Sequence, residues 1–404
     1  MTDLLLPLWV ALIGADRIDL LGGHGPIVLT PFYLLTPLVI GGEAVRRSRS
    51  GGRLLPEVPA RGAAYAALLL TLIAVAGLSI LNSRDVTTSV GRVTLLLAIS
   101  VGTGLVLWSL WDDPSWHARL ARGARWGLAL AGVMSLLQVA EFVHWLPAEW
   151  MVGPVRLRLD PFTYAGILPR PAGLTFDPNR AGLVTLLHWA LIDRAPQRPH
   201  RAWSLVTVAL VLATLSRSTL LAVGAYLAAA AWERRVVRVR RPIRIGRALA
   251  LLTAGLALLL LLAPRSRERL GRFLAPVAER LNAAEGSAQA HGSLVAQGVR
   301  EAMRDVPRTL LGVGYGTSFL LLRDRFGGDR YGNFHSLYVT LWVESGIVAL
   351  LLLLWLLLRP LPRPGAWRGL LVGAILFNVF YQASGEAAFW TVLTLAWSAP
   401  PPSV

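Results

Sequence analysis

The chain has 404 residues, 54% of them apolar, with a mean hydropathy of +0.54, and its Leu-rich runs exclude a water-soluble domain of this size. Its formal net charge is +17 and all 40 basic residues are Arg; they are scattered over loops between apolar runs rather than gathered on one face, which excludes nucleic acid as a partner. Cysteine is absent, which excludes disulfides, thiolate chemistry and a Cys-ligated metal.

Long runs such as AALLLTLIAVAGLSIL, LLTAGLALLLLLA and ALLLLLWLLL approach or reach what is needed to cross about 30 Å of hydrocarbon as helices. They show no dyad alternation, so helices rather than a barrel are expected. The reading is an all-α, polytopic membrane protein with about 12 spans, oriented by its Arg clusters. The first run, 4–14, lacks a basic flank and a small-residue cleavage site, so it is expected to be a retained span. Span two, 26–45, runs into RRSRSGGR, and spans three and four, 63–81 and 92–111, are joined by NSRDVTTSVGR. WDDPSWHARLARGAR then precedes span five, 126–145, and a long amphiphilic segment, 146–180, follows on the outer side.

Span six, 181–192, leads to the basic DRAPQRPHR; spans seven and eight, 202–215 and 219–232, form a tight outer hairpin around SRS. ERRVVRVRRPIRIGR, with seven Arg residues, is the strongest cytoplasmic signal. Span nine is 248–263, and residues 264–334 form one large outer loop. Spans ten to twelve begin at His335, Gly369 and Ala387. Three parts follow: residues 1–263 carry helices one to nine, 264–334 the loop domain, and 335–404 the last three helices. Both termini are expected inside. No internal repeat of fixed period is present, which argues against repeat-built transporters.

In the large loop, RERLGRFLAPVAERL and GSLVAQGVREAMRDVP have apolar residues at three-to-four spacing and are expected to form amphipathic helices. LLGVGYGTS places Gly312, Gly314 and Gly316 at alternate positions. Such glycines either let backbone approach a phosphate or simply turn the chain.

Three stretches carry residues with chemistry. In YGNFHSLYVTLWVESG, an ideal helix puts His335, Tyr338, Val339, Trp342 and Gly346 on one face. Asn333, Ser336 and Tyr338 surround the ring with polar and aromatic groups. His335 is either an interfacial residue at the end of a span or a base, since an unperturbed imidazole accepts a proton at neutral pH. In LPRPAGLTFDPNRAGL, Pro178 and Asn179 are good helix-start residues, but Arg170 and Arg180 lie on the side that the topology rule disfavours. In LATLSRSTLLAVGAYL, Arg217 sits in a hairpin between apolar runs. A charge there is expensive, which points to function, and a fixed guanidinium can hold a diphosphate by paired hydrogen bonds.

Together these stretches resemble the O-antigen ligase and O-antigen polymerase superfamily. FHSLYVTLWVESGIVA resembles its signature of His, a small polar residue, nine residues and Gly: His335, Ser336 and Gly346 fit, while Ala349 departs from the usual Gly, Thr or Tyr. GLTFDPN resembles a family segment through Gly173, Pro178 and Asn179, with Phe176 one place late. LSRST and PRTLLGVGYG resemble two further segments, in the same order.

The resemblance implies a membrane glycosyltransferase of the bacterial inner membrane, without cofactor or metal. Its donor would be a glycan on undecaprenyl diphosphate. Its acceptor would be lipid A–core or a growing polysaccharide, on the periplasmic side. It implies His335 as the base and Arg217, Arg170, Arg180 and, in the loop, Arg300 as diphosphate ligands. His291 is another occupant of the loop position to which Arg300 is assigned. Asn333, Ser336, Tyr338 and Trp342 would line the acceptor pocket. Two alternatives stand beside it: a transporter or flippase of lipid-linked glycans, and a metal-dependent glycosyltransferase using Asp16 and Asp19 of GADRIDL.

Overall fold

The computed structural model describes residues 2–22, 28–49, 51, 60–111, 113–164, 168–195, 200–236, 286–326, 332–362 and 367–398. The expected span at 248–263 and the first amphipathic loop segment lie outside them. In chain order the helices are α1 (Thr2–Ala11), α2 (Pro31–Arg49), α3 (Ala60–Leu78), α4 (Val86–Ser109), α5 (Trp116–Phe142), α6 (Pro178–Asp193) and α7 (Arg201–Ala213). They continue with α8 (Arg217–Val236), α9 (Gly286–Ala302), α10 (Val306–Leu311), α11 (Ser318–Phe326), α12 (Leu337–Leu358), α13 (Arg368–Phe377) and α14 (Ala387–Ser398). The strands, all short, are β1 (Ile18–Asp19), β2 (Glu149–Val152), β3 (Val155–Arg158), β4 (Phe162–Tyr164) and β5 (Leu168–Arg170).

The protein is therefore mostly helical, with little sheet. Among the described residues, four helical stretches are long and apolar enough to cross a membrane: Arg61–Asn82, Val86–Ser109, Trp116–Phe142 and Leu337–Leu358. Three shorter apolar helices are Arg201–Ala213, Arg368–Phe377 and Ala387–Ser398. The chain divides into two units, Met1–Leu54 with Asp112–Glu285, and Leu55–Trp111 with Gly286–Val404.

In the first unit α5 is central, packed by α1, α6 and α7. Small residues allow the close crossings, since apolar helices gain by contact when no side chain intervenes. A Cβ at Gly123 would run into the Pro7 carbonyl, one at Gly127 into the His188 ring, and one at Gly182 on α6 into Thr219 on α8. One end of the unit is held by buried charge. Arg119 bonds Glu43 at 2.5 Å and Asp113 at 2.9 Å, and Arg46 bonds Glu43 at 2.6 Å. The C-terminal end of α2 and the N-terminal end of α5, which carry two of the Arg-rich stretches, thus meet.

The other end collects the loop after α1, the β strands, the start of α6 and the α7–α8 turn. The segment 146–180, read only as amphiphilic, supplies four strands that, with β1 from the loop after α1, make two small antiparallel sheets, ordered β1-β3-β2 and β4-β5. The alternation of EWMV and VRLR around a turn at Gly153, whose φ is +59°, is a hairpin signal.

In the second unit α12 packs on α3, α9 and α10, and α14 on α3, α4 and α13. Tyr65 sits between Trp108 and Trp397 and bonds Thr394 Oγ1 at 3.1 Å, joining three helices. GSLVAQGVREAMRDVP, expected as one helix, is two: α9 ends at Ala302, and Asp305 caps α10 by accepting the Arg308 amide, with Pro307 in its first turn.

Candidate active site

His335 is not on the helix whose face the spacing predicted. It precedes α12, with Ser336 at the N-cap, and its φ is +52°. A non-glycine residue in the left-handed region costs of order 1–3 kcal/mol and persists only where its surroundings enforce it. Two contacts do so here. Asn333 Oδ1 accepts the His335 amide at 2.8 Å, closing an Asx turn. The Leu337 amide donates to the carbonyls of Asn378 and Tyr381, at 3.0 and 2.9 Å, in the turn between α13 and α14. That turn is itself fixed: Asn378 Oδ1 accepts the Ala383 amide and Trp390 Nε1 donates to the Ser384 carbonyl. The His335 ring is half-buried.

The loop of three alternate glycines packs against a break in α12. With φ +80° and ψ 175°, Gly346 breaks α12. Carbonyls freed by such a break need donors, and Val313 N and Gly314 N supply them to Val343 O and Glu344 O, both at 3.0 Å. The approach is so close that a Cβ on Gly346 would strike the Leu310 carbonyl, and one on Gly312 the Glu344 backbone. Gly312, Gly314 and Gly316 all have positive φ. Of the two readings open in the sequence, chain-turning describes what they do. The carboxylate of Glu344, buried in the same break, accepts the Ser318 amide at the start of α11 at 3.2 Å. Tyr315, buried in the loop, bonds the Ser384 side chain, and burial pushes its hydroxyl well above its ordinary range, keeping it neutral.

Over this lies α9. Gly298 is where it touches α12, since a Cβ there would meet Val339 and Phe334. His291, Leu294, Gly298 and Ala302 share one face of α9 by spacing, and Leu294 and Ala302 join Phe334, Val343 and Leu322 in a small core. At the other end of that stripe, the His291 ring stacks on the His335 ring at 4.2 Å with the planes 12° apart. The remaining candidates of this unit diverge. Tyr338 donates to Ile375 O on α13 at 2.8 Å. Val339 and Trp342 pack on the α9–α11 core. Ser336 is buried, and Arg300 is exposed near the end of α9.

In the first unit, Arg170, Arg180 and Arg217 are brought to the same end. Arg170, buried, donates through Nε to Thr214 O at 2.9 Å in the α7–α8 turn. Arg180 is ion-paired to Asp16. Ser216, next to half-buried Arg217, bonds Asn179 Oδ1 at 2.7 Å and accepts the Thr219 amide. Leu215, with φ +47°, turns the chain into that helix start, as His335 does for α12.

Sequence reasoning missed the residues that hold this end. Arg17 is fully buried and donates to the carbonyls of Thr175, Arg158 and Phe176 and to Asp160, with its guanidinium 5.3 Å from the Phe176 ring. Gln138, mid-way along α5, clamps Ala172 N and Gly173 O, both at 2.8 Å. An amide inside an apolar span was the available signal. Asp16, weighed as a metal ligand, is occupied by Arg180 and by the Phe176 amide. Among the described residues no group of three or more His, Asp or Glu is placed to hold a metal.

Comparison with known proteins adds one result: residues 202–354 match the family model described as O-Antigen ligase. No curated protein matches the chain. The matched segment contains Arg217, Arg300 and His335, while Arg170 and Arg180 precede it. Proteins of that family carry out glycosyl transfer on lipid-linked sugars at membranes, in keeping with the apolar helices described above. Over residues 202–354, the chain is thus similar to the O-antigen ligase family.

Proposed function

We propose that the protein is an inverting, metal-independent glycosyltransferase of the bacterial inner membrane. It moves a glycan from undecaprenyl diphosphate to a sugar hydroxyl of lipid A–core or of a growing polysaccharide, on the periplasmic side. The reading keeps about 12 spans with the large loop between the ninth and tenth.

The observation that carries it is the backbone of His335. A strained, enforced conformation at the polar end of an apolar helix is a mark of a functional residue, and an imidazole there can take a proton at neutral pH. In the reaction the acceptor hydroxyl oxygen bonds to the anomeric carbon and its proton passes to His335. The bond from that carbon to the diphosphate oxygen breaks, and the diphosphate leaves with the electron pair. A diphosphate needs little general acid, but its charge needs cations. Arg217, Arg170, Arg180 and Arg300 are the proposed ligands, and Asn333, Ser336, Tyr338 and Trp342 the proposed acceptor-side lining.

The test uses purified protein in lipid nanodiscs with a polyprenyl-diphosphate-linked glycan, with and without lipid A–core, and with EDTA. A ladder without lipid A–core identifies a polymerase, and one acceptor-dependent product a ligase. Movement of intact donor across the bilayer without bond formation overturns the reading in favour of transport. His335→Ala is expected to lower turnover by about 10²–10⁴ while donor binding persists; unchanged turnover removes His335 as the base.

A further inference from the structure

We infer that His291 and His335 titrate as one pair, with His291 taking a share of the first proton so that His335 stays able to act at pH values where a lone histidine would be blocked. The inference rests on the reading of His335 as the base. It comes from the stacked rings, 4.2 Å apart and nearly parallel, and from the stripe His291, Leu294, Gly298 and Ala302 that seats α9 on the start of α12.

Two imidazolium rings face to face at that distance repel strongly, so the pair takes up a second proton only well below the pH at which it takes the first. The singly protonated pair divides its proton between the rings. Whenever it rests on His291, the His335 ring is neutral and the site can work. A single histidine lacks this reserve: below its pKa of about 6.5 the neutral fraction falls tenfold per pH unit.

Among the described residues, charged and titratable groups also stand on the packed elements, including Tyr381 and the buried Glu386 in the α13–α14 turn. Glu301 on α9 pairs with Arg304 and Arg308. Glu344 on α12 accepts the Ser318 amide, and Tyr338 donates to Ile375 O. Arg300 is exposed, two and a half turns along α9 from His291. On α11, Asp324 pairs with Arg84, and Arg323 and Arg325 are exposed. Arg61 stands in the first turn of α3, whose opposite end leads to the glycine loop through Ser79 and the Tyr315 amide.

The experiment measures kcat/KM from pH 4.5 to 8.5 for the wild type, His291→Phe and His335→Ala. Phe keeps the stack and removes the proton site. At pH 8 the Phe variant is expected within about twofold of the wild type. At pH 5 the wild type should hold a large part of its neutral-pH value, in two separated steps, while the variant falls in one step to about a tenth of the wild type or less. Superimposed profiles overturn the inference. Full turnover by His335→Ala overturns instead the assignment of the base. In that case ring-carbon NMR decides the pair by itself: His335 titrates in two steps in the wild type and one in His291→Phe, and identical curves refute the coupling.

Discussion

The amide of Gly314 donates to the carbonyl of Glu344 at 3.0 Å, so the glycine loop repairs the hydrogen bonding that Gly346 breaks. The two sequence features that looked separate, alternate glycines and the glycine eleven residues after His335, are one construction. Its weak point is Gly346. An alanine there must adopt φ near +80° and push its methyl into the Leu310 carbonyl. The backbone term alone costs about 1–3 kcal/mol, and the clash adds to it. Gly346→Ala is expected to lower the thermal unfolding midpoint in detergent and reduce turnover together. Gly292→Ala, on an open face of α9, is the control and should leave the midpoint in place or raise it.

Asn333 holds His335 through one hydrogen bond from the ring-bearing residue's own amide. Losing it removes about 1 kcal/mol of support for a conformation the chain otherwise avoids. Asn333→Ala should therefore cut kcat by about fivefold, with a smaller change in KM. Asn333→Asp, whose carboxylate accepts the same amide, should recover most of the loss. Equal defects in both variants would show that Asn333 acts through a contact with the acceptor instead.

The sequence already carried most of the helices, because Leu-rich runs and Arg-rich ends are composition-level signals that tertiary packing rarely overrides. Its boundaries failed where side chains, not hydropathy, decide them. The helix start moved from His335 to Leu337 because Asn333 captured an amide, and one amphipathic run became two because Asp305 capped the second. The pairing of His291 with His335 was hidden for another reason: nothing in either segment's own spacing points to the other, and the close approach at Gly298 is a tertiary contact. The spacing 291, 294, 298, 302 was there to read, but its partner was 44 residues away.

Arg17 ties the turn before α6 to the first loop. Its four acceptors are Thr175 O, Arg158 O, Phe176 O and Asp160, at 2.7 to 3.4 Å. Arg17→Met would fill the space but strand three carbonyls away from water, each worth about 1–3 kcal/mol when left unsatisfied. The variant is expected to lose about 3 kcal/mol or more of stability. Arg17→Lys should fall between, since an ammonium cannot spread its donors as a guanidinium does. Protease sensitivity confined to residues 149–180 would show the loss to be local; a wild-type melting midpoint in Arg17→Met would rule out this role.

The buried charges at the opposite end of the same unit should make stability fall in acid. Burial alone would raise the carboxyl pKa of Asp113. Hydrogen bonds from Ser115 and Arg119 and the nearby Arg46 charge outweigh that and hold it below the usual carboxylate range. A folded pKa below the unfolded one means that the stabilisation is complete above the unfolded value, about 3.9, and is lost as pH falls through the folded value. The wild-type unfolding midpoint should thus drop as pH is lowered below about 4. Asp113→Asn keeps the contact to Ser115 but no longer offsets Arg119, which retains Glu43 at 2.5 Å. It is expected to lose about 1–3 kcal/mol at pH 7 and to show a flatter decline in acid. Parallel curves for the two proteins would mean that the Asp113 carboxyl titrates alike in the folded and unfolded states, and would overturn this account.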